Sequence, residues 1–375
     1  MRGTGIFAVV AAGLAASLAV ASPAVAAPGG WRVGDVATVA GNSLDAVYAA
    51  DDNDAWLVGY TDPGTTTTGP LILRRAGSGW SPSTVPAFSA PTALYGVGGS
   101  GPRDVWAVGV SVVGPRTNAP AALHWDGATW TAVDTGISPG YFRSVTATGP
   151  TDGWAVGTFN DNEAIAAHWD GTAWTQLTLP DPPDHSSFRL HLDSVSASAP
   201  DNVWAVGYYR RLVSPAIAGA YALHWDGLTW TASLLSPVDG TSPVIRRASV
   251  VALAPNDVWA AVNGVAADRD AAYLQHWDGA TWSTAYTVPA TEFPDLTGIS
   301  ARSADDVWAV GTVGDPTGPT RTLTLHWDGH CWIRVPSPNP GTSAALHDVS
   351  AVRGGHRVWV LGSATTGPFT LTRMH

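Results

Sequence analysis

A tryptophan-centred phrase recurs seven times along this chain, and the closing tryptophan of the last copy stands at the opposite terminus. Together these observations predict an all-β fold: a closed seven-bladed β-propeller of four-stranded antiparallel blades, its ring sealed by the N-terminal strand. The phrase opens as Asp104-Val105-Trp106-Ala107-Val108-Gly109 and continues as His124-Trp125-Asp126-Gly127-Ala128-Thr129-Trp130. Its first part recurs at Trp56, Trp106, Trp154, Trp204, Trp259, Trp308 and Trp359, at spacings of 50, 48, 50, 55, 49 and 51 residues. Periods of this size mean a solenoid, a propeller or an array.

The 19 tryptophans decide between these. Seven open the phrase. Five follow the repeated His, at Trp125, Trp169, Trp225, Trp277 and Trp327, and six close it, at Trp80, Trp130, Trp174, Trp230, Trp282 and Trp332. The one left over is Trp31, while the copy at Trp359 ends at Met374-His375 before any closing Trp. An open array has no reason to split one unit between its termini, whereas a ring is sealed by joining them in one sheet. The strand beginning at Trp31 is therefore expected beside Thr370 to Met374.

In chain order, residues 1–26 read as a secretory signal peptide. Arg2 supplies the charge, Ile6 to Val20 the apolar stretch and Ala24-Val25-Ala26 the small-residue site, with cleavage after Ala26. The apolar stretch is shorter than the roughly 20 residues a bilayer requires. No later segment is apolar enough to span, so a secreted, extracellular protein is expected, with residues 27–375 as one propeller domain. Each repeat parses into four strands. The first reads Leu-x-x-Val-x-Ala, as in Leu192 to Ala197, and a Pro/Asp turn follows. The second is Val203-Trp204-Ala205-Val206-Gly207, apolar on successive residues as a strand covered on both faces should be. The third ends at Leu223-His224-Trp225; Asp226-Gly227 makes the hairpin, and the fourth begins at Trp230.

Composition removes several classes of function. All 19 basic residues are Arg, which excludes Schiff-base lysine chemistry. The net charge of −11, with arginines scattered, argues against nucleic acid. Cys331 is the single cysteine and holds a turn position filled elsewhere by Thr or Ala, so it reads as a turn residue and not a nucleophile.

The Val-Trp-Ala-Val-Gly strand and the Trp-Asp-Gly-x-x-Trp turn resemble the repeats of bacterial secreted β-propellers described as galactose-oxidase-like or kelch-like. The turn is also similar to the Asp-box of sialidase-type propellers and to tectonin-type lectin repeats. The Gly-Gly doublet of kelch repeats and the spaced Asp-x-Gly of an Asp-box are absent. A galactose oxidase site implies copper on Tyr and His with a Tyr–Cys cross-link, which Cys331 in its turn does not match. A sialidase site implies three converging arginines; Arg143, Arg302 and Arg353 lie on or just after first strands.

The five repeated His sit one per blade, too far apart to share a metal, and read as structural. The eight residues Trp31, Trp56, Trp106, Trp154, Trp204, Trp259, Trp308 and Trp359 read as core, and the Trp after each His as the set most open to solvent. No cofactor, metal or catalytic residue is assigned. The expected function is a secreted binding module for extracellular carbohydrate or another polymer, acting as a monomer. The alternatives are a protein-interaction or structural scaffold and a polysaccharide lyase or glycosidase. Two connections per blade are constant in length and two vary; the variable pair shares one face, where binding residues tend to be placed. The candidates there are Tyr208-Tyr209-Arg210-Arg211, Asp184 and His185, Asp161 and Glu163, and Arg246 and Arg247.

Overall fold

The computed structural model describes residues 30–36, 42–62, 64–77, 79–114, 117–159, 163–181, 189–211, 217–235, 244–266, 269–314 and 318–374. The expected signal peptide lies outside them. The described strands form seven four-stranded antiparallel sheets. Six follow chain order, and the seventh runs Arg32–Asp35, Gly367–Met374, Arg357–Ala364, Ala344–Ala351. A 3-10 turn spans Ala290–Glu292. Among the described residues no helix is long and apolar enough to cross a membrane.

The expected closure is present. Arg32–Asp35 pairs antiparallel with Gly367–Met374, placing Arg32 opposite Thr372 and Asp35 opposite Phe369. Trp31 is fully buried.

The apolar core is divided among seven clusters, one at each seam between consecutive blades. A sheet apolar on both faces can bury itself only between two neighbours, and a ring gives every blade two. Tryptophan makes each seam. The closing Trp of one blade meets the opening Trp of the preceding blade edge-on: Trp174 on Trp106, Trp230 on Trp154, Trp282 on Trp204, Trp332 on Trp259, Trp80 on Trp359 and Trp31 on Trp308. Their centroids are 5.0–5.6 Å apart, the geometry aromatic quadrupoles favour. The Trp after each His leans on the same partner and is the more exposed of the two. Trp169, Trp225, Trp277 and Trp327 are half-buried, and Trp125, Trp169 and Trp277 donate their indole N–H to the carbonyls of Pro102, Pro150 and Pro255 in the constant turns.

The hairpin follows from its residues. Asp126 Oδ1 accepts the N–H groups of Ala128 and Thr129, both at 2.8 Å, and Gly127 has φ +99°. Asp170, Asp226, Asp278 and Asp328 repeat this pattern. A carboxylate capping two backbone donors, followed by a residue free to adopt positive φ, closes the turn without help from outside.

Candidate binding site

The seven first strands surround a central channel, and each carries a β-bulge. The extra residue is Asp45, Tyr95, Arg143, Asp193, Arg246, Thr297 and His347 in blades 1 to 7. In every blade the residue before the bulge pairs with a glycine of the second strand: Gly59, Gly109, Gly157, Gly207, Gly264, Gly311 and Gly362. The bulge presses backbone onto that glycine. A Cβ on Gly207 would stand 1.8 Å from the carbonyl oxygen of His191, so no larger residue fits. Bulges re-aim side chains, and here six of the seven extra residues line one cavity of about 330 Å³. In blade 5 the bulge sits further toward the strand start, opposite Gly264, and Arg247 takes the lining position. Ser194, Asp348 and their neighbours complete the wall.

The cavity is polar, of mixed charge, and stitched to the scaffold. Asp348 accepts the N–H of Val47 across the seam at 2.8 Å and that of Val349 at 2.8 Å. Asp193 accepts the N–H of Ala248 at 3.1 Å, and Ser144 and Ser194 accept those of Val195 and Val250. These side chains satisfy backbone donors on the unpaired inner edge of the next blade. Withdrawal from water pushes the Asp193 carboxyl up to about 6 and that of Asp348 up to about 7, against the pull of Arg247 and the backbone donors. Burial likewise raises Asp45, while the Ser43 hydroxyl, Arg143 and Arg247 oppose it. His347 donates to or accepts from Ser363 Oγ at 2.6 Å, and burial, then Arg247, hold its pKa down.

Aromatic side chains adjoin the cavity at Tyr95, which lines it. Tyr60, Tyr95 and Tyr141, from blades 1, 2 and 3, meet edge-on with centroids 6.2 Å apart at each step. The Arg143 guanidinium lies 5.9 Å from the centre of the Tyr95 ring. At the other end of the first strands Arg353 of blade 7 donates to the carbonyl of Ala252 in blade 5, and Tyr48 donates to that of Gly99.

Each repeated His hydrogen-bonds within its own blade. Nε2 of His124, His168, His276 and His326 lies 2.7–3.1 Å from Asp104, Asp152, Asp257 and Asp306 of the same blade, and His224 pairs with Asn202 at 2.8 Å. Each of these rings also packs on its own blade's opening Trp, at centroid distances of 4.2–4.4 Å. In blade 2 the hydroxyl of Ser100 donates to Asp104 at 2.5 Å and not to the imidazole. Aspartate, or Asn202 in blade 4, is thus the imidazole's partner in each of these pairs.

The candidates read from the sequence are dispersed. Arg247 lines the cavity, and Arg246 is exposed as the blade 5 bulge. Tyr208 to Arg211 form no loop: they extend the second strand of blade 4, Asn202–Arg211, pairing with Arg189 to His191 on one side and Ile217 to Ala220 on the other. A run of aromatic residues favours strand, and partners on both sides satisfied its backbone. Tyr209 is consequently buried, against Tyr221, and Tyr208 stacks on His191 at 4.5 Å. Glu163 is exposed at the start of a third strand. Asp161, Asp184 and His185 lie outside the described residues. Of the three arginines a sialidase would need, only Arg143 reaches the cavity; Arg302 is held by Asp306 and the Gly355 carbonyl. Bulge residues other than Arg246 were not among the candidates because nothing in Leu-x-x-Val marks the extra residue. The glycine three positions after each opening Trp is the signal that could have found six of them.

No protein-family model matches the sequence, and a search of curated proteins finds no relative. Solved structures match over nearly the whole chain. YCF48 bound to D1 peptide is 16% identical, with a TM-score of 0.56, covering 94% of this chain and 99% of its own. YCF48 from Cyanidioschyzon merolae is 21% identical, with a TM-score of 0.57, covering 92% and 98%. The Cps50 (Swd1) β-propeller domain of Myceliophteria thermophila is 10% identical, with a TM-score of 0.55, covering 92% and 99%. The fold is a β-propeller. At these identities the likeness extends to architecture alone, and function has to be argued from the site.

Proposed function

We propose that this propeller is a binding module that takes a segment of carbohydrate, or of another extracellular polymer, at the mouth of its channel. The carrying observation is the bulge in each first strand, which brings Asp45, Tyr95, Arg143, Asp193, Arg247, Thr297 and His347 to one rim. Tyrosine faces beside carboxylate, guanidinium and hydroxyl groups offer a sugar ring both an apolar platform and directional hydrogen bonds. First strands begin on the face that carries the variable loops, so this reading keeps the ligand on that face. The export signal read in residues 1–26 would place the encounter outside the cell.

A peptide segment is the second reading. A structure of the same architecture, YCF48, is bound to D1 peptide, and a rim with both charge signs suits amide and charged side chains.

A glycan array and a peptide library screened side by side separate the two. Tyr95→Ala and Arg143→Ala should each weaken binding to whichever hit emerges by about tenfold or more, about 1.4 kcal/mol, with melting temperature unchanged. Arg103→Ala, on a constant turn, should bind as the parent does. Binding lost only in the Arg103 variant would put the ligand on the wrong side of the ring for this proposal.

A further inference from the structure

Blades 1 and 7 break the tryptophan pattern at one corresponding position. Arg75 stands where blades 2 to 6 have the Trp after His, and Arg373 stands there in blade 7. Both keep the contact of the indole they replace. Arg373 lies 5.3 Å from the ring centre of Trp308, and Arg75 lies 4.7 Å from that of Trp359. A guanidinium over an indole face is a favourable exchange for the lost aromatic contact.

The two arginines differ in what stands beside them. The position two before the opening Trp holds Asp54, Asp104, Asp152, Asn202, Asp257 and Asp306 in blades 1 to 6, and Arg357 in blade 7. Near Arg373 burial disfavours the protonated form, and the charge of Asp306 opposes that. Near Arg75 the charge is that of Arg357, which adds to burial in disfavouring its protonated form. Arg357 sits 5.3 Å from the same Trp359 ring. Its Nε is buried without an acceptor among the described residues, and its Nη2 reaches only the sulfur of Met374, at 3.8 Å. Thr372 faces Trp359 where other blades place the His. So the blade that inverted the acidic position has also dropped the basic partner, and two cations share one indole.

They line a cleft of about 480 Å³ at the ring-closing seam, with Arg32 and Thr372 beside them and Asp35 as the one carboxylate among the described lining residues. We propose that this cleft is an anion site, distinct from the channel, that takes a phosphate, sulfate or carboxylate group between Arg75 and Arg357. Planar guanidinium groups bind such oxyanions with paired hydrogen bonds. A bound oxyanion would supply the acceptor Arg357 lacks and offset the repulsion between the two cations.

The test titrates the full chain with sodium phosphate, sodium sulfate and sodium acetate at constant ionic strength set with chloride, by calorimetry and thermal unfolding. A saturable response to at least one oxyanion, with a rise in melting temperature, is expected. Arg357→Gln should weaken it at least tenfold, and Arg373→Gln should leave it intact. Arg357→Asp, which restores the acidic residue of five other blades, should abolish the response while melting no lower than the parent in oxyanion-free buffer. Polygalacturonate competing with bound phosphate would assign the group to an acidic polymer, and failure to compete would assign it to a free ion. Chloride acting like the oxyanions, or Arg357→Gln binding as tightly as the parent, would overturn the site.

Discussion

Trp31 lies edge-on against Trp308, with ring centroids 5.3 Å apart and planes at 80°, although one stands at the start of the described chain and the other in its penultimate blade. The contact repeats, between blades 6 and 7, what Trp332 and Trp259 do at the seam before. It ties closure to the same edge-on tryptophan geometry found at five other seams.

Removing that contact should open the ring. Trp31 is fully buried, so Trp31→Ala should cost about 3–5 kcal/mol, the usual range for deleting a core aromatic. Starting the chain at Gly41 removes the strand Arg32–Asp35 as well and should lower the melting temperature further. A chain starting at Gly41 that melts with the parent would contradict closure by this strand.

Equivalent positions should respond equally. Trp204 and Trp308 are both buried at their seams, so alanine at either should destabilise by a similar amount, about 3–5 kcal/mol. Trp277 is half-buried and donates to the Pro255 carbonyl; Trp277→Ala should cost clearly less. Urea unfolding of the three variants checks the order.

One blade offers a controlled charge change. His224 pairs with Asn202, where four other His pair with Asp, and burial holds its pKa below the ordinary value. Asn202→Asp places a carboxylate at hydrogen-bond distance and should raise that pKa. The depressed pKa of the parent costs stability as pH falls through the ordinary imidazole range, so the variant should lose less stability there. Imidazole NMR shifts followed against pH read the pKa directly; an unmoved His224 titration would refute the pairing of that position with the imidazole.

The channel and the hairpins should pull stability in opposite directions with pH. Asp193 and Asp348 are raised by burial from 3.8 to about 6 and about 7. A raised carboxyl holds its proton better folded than unfolded. Its contribution is full below about pH 4 and is lost as pH rises through about 6 to 7. Asp170 is lowered to about 2 by the Thr172 hydroxyl and the Ala173 and Thr172 N–H groups. Its contribution is present above about pH 4 and is lost as pH falls through about 2. Asp348→Asn keeps an acceptor for a backbone donor and should flatten the decline between about pH 4 and pH 7. Urea midpoints across that range decide it: a variant with the parent's slope would exclude Asp348 as its source.

Much of this architecture could be read from residues alone. Trp31 and Trp359 determined a closed ring, because one blade's parts at two termini make sense only in one sheet. Asp226-Gly227 determined a hairpin, because its hydrogen bonds are local and its φ needs a glycine. The fully buried opening Trp and the more exposed Trp169, Trp225, Trp277 and Trp327 follow from strand position alone. The channel mouth was decided by tertiary structure. Asp45, Tyr95, Arg143, Asp193 and His347 become neighbours only when seven blades close, and each turns inward because of a bulge fixed by a glycine on the adjacent strand. Tyr208 to Arg211 show the same limit from the other side. Their length looked like a loop insertion, yet pairing partners at Arg189 and Ile217 made them strand and buried Tyr209. Local chemistry specifies turns and repeats, whereas convergence of distant side chains depends on register and closure, which no single blade encodes.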